Sequence, residues 1–263
     1  MIVPVLPKAN LLGVGVTVAT PDEMVQELRR AIQERRPAGT VAAVNVHTFT
    51  EARRSPRYRE ALNDAVLGFV DGVPIRWLLR ACGASPPPRI HGADLMARLL
   101  RELPRSRHLF FGSTPETLDQ LAAALKRDFP GTEVAGFISP PFRKSAVPET
   151  EEMLARINAS NADVLWVALG APKQEVWALL NRSRIAIPVV ACVGAAFEIL
   201  AGRFSRAPQW MQTLGLEWFW RMAQDPARLW RRYFSTNGFF AACLLGCWFR
   251  GLTRPRRDIM GAP

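Results

Sequence analysis

The 263-residue chain is 49% hydrophobic and 22% charged, a balance that suits a globular protein with a sizeable core and excludes a disordered one. Its net charge of +11 favours an anionic partner: a membrane surface, a nucleic acid or a phosphorylated substrate. Only three histidines are present, and the four cysteines form no CxxC pair, which argues against a zinc site and indicates reduced thiols in the cytosol.

Short apolar runs alternate with amphipathic helical stretches up to about residue 193. This alternation predicts an α/β fold, with a Rossmann-like, mostly parallel sheet and flanking helices. Thr20 and Pro21 have the residue types of a helix N-cap and first turn. Strands are predicted at 40–46, 66–70, 108–111, 133–137, 163–169 and 188–193. Helices are predicted from residue 21, at 49–65, 73–81, 92–103, 115–127 and 149–160, and from about residue 173.

The pattern changes near residue 203, so we predict an α/β core over residues 1–203 and a helical basic and aromatic appendage over residues 204–263. Residues 203–263 contain ten arginines and three acidic residues, interspersed with tryptophan and phenylalanine. Such a segment can lie in the headgroup layer of an anionic membrane.

The longest apolar run, residues 238–249, has 12 residues, whereas a helix needs about 20 to span a bilayer. The first residues also lack the pattern of a signal peptide. We therefore expect a cytoplasmic protein, peripheral on the inner face of the cytoplasmic membrane. The residues predicted to contact the membrane are Trp248, Phe249, Arg250 and Arg254.

Three predicted strands end in a glycine that leads into a helix, in LFFGSTPE, LWVALGAPKQE and VVACVGAAFE. In an open α/β sheet, ligands bind beyond the carboxyl ends of the strands, where helix N-termini favour anions. None of the three is a P-loop or a GxGxxG motif, so neither ATP nor NAD is specified. Each glycine has an equally simple interpretation as a tight strand-to-helix turn. Lys173, Gln174 and Glu175 suit a nucleotide base or sugar hydroxyls.

Asp71 and Gly72 directly follow a predicted buried strand. A carboxylate there is a candidate general base, but it could instead cap the helix that begins at Val73. Asn45 has the same position after another strand and the same alternative role. Arg89 could bind an anion or pair with Asp94. No DxD sequence is present to hold a metal-bound nucleotide sugar.

Several of these segments together resemble the WecG/TagA/CpsF family of bacterial glycosyltransferases. They are Asn45 after its strand, the Asp71-Gly72 pair, RIHGADLM (89–96), DVLWVALGAPKQE (163–175), VGAAFE (193–198), and RAPQW followed by GLEW (206–218), and they occur in order over most of residues 40–235. The chain has Ala43 where some relatives carry threonine, and Glu198 where aspartate is common.

The resemblance implies an inverting, metal-independent transfer from a UDP-sugar to an undecaprenyl-diphosphate-linked saccharide, without a cofactor. It makes Asp71 the general base. The implied donor-binding residues are Asn45, Gly72, Arg89, Gly112, Gly170, Lys173, Gln174, Glu175 and Gly194. The implied diphosphate-binding residues, on an appendage that closes over the active site, are Arg221, Arg228 and Arg231.

Two other functions remain open at this point. A non-catalytic membrane scaffold that binds UDP-sugar would have the same sequence features, and a nucleic-acid-binding protein would suit the basic charge but has no use for the apolar run at 238–249. Homo-oligomerisation would cover exposed apolar surface, with no stoichiometry indicated. The sugar is not specified, although we favour a hexose or N-acetylhexosamine.

Overall fold

The computed structural model describes residues 6–37 and 39–253, with the backbone alone for Arg228 and residues 250–253. The strands are β1 (Lys8–Leu11), β2 (Val14–Thr17), β3 (Gly39–Val44), β4 (Leu67–Val70), β5 (Arg107–Gly112), β6 (Glu133–Ile138), β7 (Val164–Ala168) and β8 (Val189–Cys192). The helices are α1 (Pro21–Gln33), α2 (Val46–Arg54), α3 (Pro56–Asp64), α4 (Val73–Ala81), α5 (Gly92–Glu102), α6 (Pro115–Asp128), α7 (Glu151–Ala159), α8 (Lys173–Asn181), α9 (Ala196–Leu200), α10 (Gln209–Thr213), α11 (Glu217–Gln224) and α12 (Pro226–Thr253).

The sheet confirms the predicted α/β fold. Strands β3 to β8 form one six-stranded sheet in the spatial order β4-β3-β8-β7-β5-β6, and every neighbouring pair is parallel. Every residue of β4, β7 and β8 is buried, as expected for parallel strands covered by helices on both faces. The carboxyl ends of all six strands therefore lie along one edge.

Local capping explains where several helices begin. Thr20 caps α1, and its side chain and that of Glu23 form a capping box, which confirms the predicted start. The single helix predicted at 49–65 is wrong, because Ser55 is extended and separates α2 from α3. A residue before proline disfavours helical backbone, and the Ser55 side chain then caps α3 by accepting from the amide of Tyr58.

The β1–β2 hairpin was not predicted. Leu12 and Gly13 join its antiparallel strands, and both have positive φ, the backbone of a type I′ turn. The hairpin packs on the α2/α3 side of the sheet, where Leu11, Val14 and Val16 are fully buried.

The appendage packs against the core. Helix α12 lies on α2 and α4, and Phe240 and Cys247 are buried in the same cluster as Phe49. The Phe240 and Phe49 rings meet edge to face at 5.9 Å, and Arg54 donates hydrogen bonds to Ser235. The division at residue 203 stays a prediction, but α12 is part of the folded structure. None of the helices in the described part of the chain combines the length and the apolar character that a bilayer-spanning segment needs.

Truncating Phe240 should destabilise the protein far more than truncating a neighbour on the same helix. Phe240 is 6% exposed and Phe234 is 79% exposed. We expect Phe240→Ala to lower the free energy of unfolding by about 3–5 kcal/mol. The Phe234→Ala control should change it by less than about 0.5 kcal/mol. Urea denaturation of both variants measures the difference, and equal effects would mean that α12 is not packed as described.

Candidate active site

The candidate site is built on neighbouring strand ends. In the spatial order of the sheet, β4, β3, β8, β7 and β5 lie side by side. The segments that follow these five strands carry, respectively, Asp71, Asn45, Gly194, Gly170 and Ser113. Because the strands are parallel, residues from distant parts of the sequence meet along one edge.

Asn45 connects two of these strand ends. Its Oδ1 accepts hydrogen bonds from the amides of His47 and Thr48, both at 3.1 Å, and so caps α2. Its Nδ2 donates to Oδ2 of Asp71 at 3.2 Å. The predicted alternative that Asn45 is a helix cap is therefore confirmed, and the same side chain also holds the Asp71 carboxylate.

Asp71 does not cap α4. The N-cap position is Gly72, which has no side chain and whose φ of +110° is rarely adopted by other residues. The amide of Asp71 donates to the carbonyl of Val44, which fixes its backbone against β3. The helix-cap alternative for Asp71 is therefore wrong, and its partly exposed carboxylate is held at the sheet edge by an amide donor.

Gln174 joins the turns after β7 and β8. It is only 3% exposed, its Oε1 accepts from the amide of Gly194 at 3.2 Å, and its Nε2 donates to Oε1 of Glu175 at 2.8 Å. The amide of Gln174 keeps one N–H and one lone pair of Oε1 for a ligand, and its predicted donor contact stays a prediction. Glu175 is fully buried, and the hydrogen bond that it accepts from Gln174 holds the Gln174 amide in place.

Burial perturbs two ionisable groups below the site. Desolvation raises the pKa of Glu175 to about 7, and the hydrogen bond from Gln174 opposes part of that rise. Desolvation, followed by the charge of Arg232, lowers the pKa of His47 to about 3. His47 is therefore neutral at physiological pH and does not supply a cation to a diphosphate.

Lys173 and the predicted glycines have local structural roles. Nζ of Lys173 donates to the carbonyl of Arg143 at 2.9 Å and lies over the Phe142 ring. A Cβ on Gly112 would meet the backbone of Ala168 at 2.6 Å, so the packing of β5 on β7 requires glycine. Gly170 has a φ of +79° and open space around it. Their predicted donor contacts stay predictions.

Arg89 belongs to an ion-pair cluster with the appendage. Its Nη1 donates to Glu217 at 2.5 Å and its Nη2 to Gln212 at 3.2 Å. The alternative in which Arg89 pairs with Asp94 is wrong, because Asp94 pairs with Arg206 at 2.6 Å. Arg206 also donates to Glu217 at 3.2 Å, so one carboxylate lies between two guanidinium groups.

Sequence reasoning assigned no role to Glu217. It is one of three acidic residues in the basic segment 203–263, and this isolation was the available signal. Gly215, just before it, has a φ of +72°, and a Cβ there would lie 3.2 Å from Val73 and 3.4 Å from Pro74. The α10–α11 turn therefore packs closely on the first turn of α4, next to Asp71.

The predicted diphosphate-binding arginines have different surroundings. Arg221 lines a cavity of about 20 Å³ beside His91, Arg206 and Glu217, while Arg231 is exposed beside the ring of Trp230. The Arg228 side chain lies outside the described residues.

Trp248 and Phe249 are exposed on α12, whereas the Arg250 side chain and Arg254 lie outside the described part. Among the described residues, no three His, Cys, Asp or Glu side chains are placed to hold a metal.

Taken together, the parallel sheet and the polar groups at its carboxyl edge define a Rossmann-like α/β protein with a candidate ligand site at the strand ends. The chain belongs to the WecG/TagA/CpsF family of glycosyl transferases, whose model matches residues 9–254. The resemblance seen in the sequence is thereby confirmed, and the protein is a sugar transferase by family.

One relative has a specific name. The chain is 30% identical over 222 residues to the N-acetylglucosaminyldiphosphoundecaprenol N-acetyl-beta-D-mannosaminyltransferase of Bacillus spizizenii (strain ATCC 23059 / NRRL B-14472 / W23). The match covers 84% of each protein.

The buried Glu175 should make stability depend on pH. The folded protein holds this proton up to about pH 7, while an unfolded glutamate releases it near 4.5. The stabilisation of the folded state by this proton is therefore full below about pH 4.5. It is lost as the pH rises through 7, which lowers the free energy of unfolding by about 3 kcal/mol in total. Glu175→Gln should remove this slope in urea unfolding between pH 5 and 8. The exposed Glu152→Gln control should keep it, and an unchanged slope in Glu175→Gln would contradict the assignment.

The Arg89–Glu217 pair should be energetically coupled. Their side chains are 19% and 18% exposed, in contrast to the well-exposed pair of Arg127 and Asp128. A double-mutant cycle with alanine at 89 and 217 should give about 1–3 kcal/mol of coupling in the free energy of unfolding. The matched cycle at 127 and 128 should give less than about 1 kcal/mol. Coupling no larger than at this control pair would mean that the cluster does not hold the appendage.

Proposed function

We propose that the protein is an inverting glycosyltransferase that moves a sugar from a UDP-sugar to an undecaprenyl-diphosphate-linked saccharide, with Asp71 as the general base. The observation that carries the proposal is the Asp71 carboxylate, which is held by Asn45 at the carboxyl edge of the sheet and is not used as a helix cap. The relative from Bacillus spizizenii supports the lipid-linked acceptor.

The reaction has one displacement step. Asp71 accepts the proton of an acceptor hydroxyl as the oxygen attacks the anomeric carbon of the donor sugar. The bond between this carbon and the β-phosphate oxygen breaks, and UDP leaves with the electron pair. Attack on the face opposite the leaving group inverts the anomeric centre. The Asn45 amide fixes the orientation of the carboxylate, so less freedom is lost when the acceptor binds.

The departing diphosphate requires positive charge, and we propose that arginines supply it without a metal ion. Arg221 lies at the cavity beside Arg206 and Glu217, on a segment that packs over the first turn of α4. Arg89 and Arg206 already accommodate one carboxylate, that of Glu217, which supports their capacity to hold an anion. Arg228 and Arg231 complete the proposed set.

For the donor, we propose an N-acetylhexosamine or hexose linked to UDP. The name of the relative makes UDP-N-acetylmannosamine the first donor to test, with UDP-glucose as the hexose comparison. Gln174 and the Gly170 turn would meet the nucleotide sugar. The Gly170 turn has open space, and Gln174 is fixed by Gly194 and Glu175.

We also propose that the protein works as a peripheral protein on the inner face of the cytoplasmic membrane. Exposed Trp248, Phe249 and Phe234 on α12 support this location, together with the basic charge of the same segment. Tryptophan and phenylalanine insert at the headgroup boundary, and arginines attract anionic lipid.

Asp71→Asn tests the mechanism, because the amide keeps the shape of the side chain but cannot accept the proton. We expect kcat to fall about 10²–10⁴-fold, with little change in the binding of the UDP-sugar. Release of UDP with a lipid-diphosphate-saccharide acceptor measures turnover. The exposed Asp119→Asn variant on α6 is the matched control and should retain wild-type kcat.

Two results would overturn this function. Full activity of Asp71→Asn would exclude Asp71 as the base. Binding of UDP-sugars by the wild type without turnover on any acceptor would favour the non-catalytic scaffold.

A further inference from the structure

An open apolar groove lies between α4 and α12, outside the strand-end site. It has a volume of about 490 Å³, which is within the usual range of ligand pockets. Its lining residues are Trp77, Arg80, Ala81, Leu244, Leu245 and Trp248. Trp77, Leu245 and Trp248 are 42%, 54% and 55% exposed, so large apolar side chains face solvent on both walls. Adjacent exposed apolar groups of this kind mark a binding surface.

Both walls of the groove are anchored in the core. Leu78 on α4 is fully buried, and Phe240 and Cys247 on α12 pack in the same cluster. The sulfur atoms of Cys82 and Cys247 are 2.9 Å apart, where the two helices approach each other. The groove is therefore a preformed feature of the folded protein.

The position of the groove connects it to the candidate active site. Helix α4 begins two residues after Asp71 and runs away from it. At 1.5 Å per residue, Trp77 and Ala81 lie roughly 6 Å and 12 Å along the axis from Val73. These axial distances are short enough for one extended molecule to reach from Asp71 to the groove.

The chemistry of the groove favours one kind of occupant. Five of the six lining side chains are apolar or aromatic, and the sixth, Arg80, is a cation. A nucleic acid would need several cations, whereas a hydrocarbon chain that carries a diphosphate needs apolar walls with positive charge beside them.

We propose that this groove binds the isoprenoid chain of the lipid-linked acceptor next to its diphosphate, with Arg80 as the cation beside the apolar walls. The proposal rests on the proposed function, since it assigns a subsite to that acceptor. It extends that function because it makes the enzyme recognise the lipid itself, independently of a bilayer. Trp77, Leu245 and Trp248 supply the contact surface.

The binding test needs no turnover. Farnesyl diphosphate is titrated into the full-length protein, with detergent kept below its critical micelle concentration. Calorimetry measures the heat of binding. We expect saturable binding that weakens at least 10-fold in Trp248→Ser and in Leu245→Asn. Both positions are more than half exposed, so both variants should fold, which circular dichroism and the melting temperature check. Phe234→Ser, at a more exposed aromatic on α12 outside the groove, is the control and should bind as the wild type does.

A kinetic arm separates this proposal from the proposed function. Two acceptors carry the same saccharide diphosphate, one on a farnesyl chain and one on a methyl group. The wild type should have a KM at least 10-fold lower for the farnesyl acceptor, and Trp248→Ser should lose that preference. Equal KM values with normal turnover would overturn the proposal that the groove binds the isoprenoid chain and would leave the proposed function intact. Farnesyl diphosphate binding without any turnover would keep the groove and overturn the function.

The mass of the protein in solution tests whether the groove is instead occupied by a second copy of the chain. If sedimentation shows a dimer that Trp248→Ser dissociates and farnesyl diphosphate does not, the groove is an interface with a second copy and the lipid proposal is wrong. A single mass for the wild type and Trp248→Ser, together with saturable binding, supports the proposal.

Discussion

The candidate site depends on the parallel arrangement of its strands. Parallel pairing places every carboxyl end of β4, β3, β8 and β7 on one edge, so Asp71, Asn45, Gly194 and the Gly170 turn meet although up to 149 positions separate them in the sequence. A hydrogen bond can then join Asn45 to Asp71, and Gln174 can reach Gly194. A shift of one strand by a single residue would turn these side chains to the other face of the sheet.

Below this edge, the protein keeps a buried acid at a cost in stability. Glu175 loses its hydration, and the hydrogen bond from Gln174 and the charge of Arg232 offset part of that loss. A buried carboxyl group is retained only where its hydrogen bonds are useful, and here it fixes the amide that connects the turns after β7 and β8. Rigid support of this kind positions a polar group more accurately than a surface loop can.

The appendage is held by contacts of two kinds. Apolar packing of Phe240 and Cys247 fixes α12 on the core, while Glu217, between Arg89 and Arg206, fixes the segment that precedes it. Close packing of Gly215 on Val73 brings that segment to the start of α4. The basic region that first suggested only an anionic partner therefore packs beside the candidate site and also forms one wall of the apolar groove.

The sequence by itself determined the α/β class, most element boundaries, the cap at Thr20 and the family, because periodicity, capping and turn residues are local properties. It missed the break at Ser55, although Pro56 was a usable signal, and it missed the first hairpin. Only the tertiary structure decided that Asp71 is not a cap, that Arg89 pairs with Glu217, that Glu175 is buried and that α4 and α12 enclose a groove. Arg89 and Glu217 are 128 positions apart, and no local pattern encodes which distant partner a partly buried charge will meet.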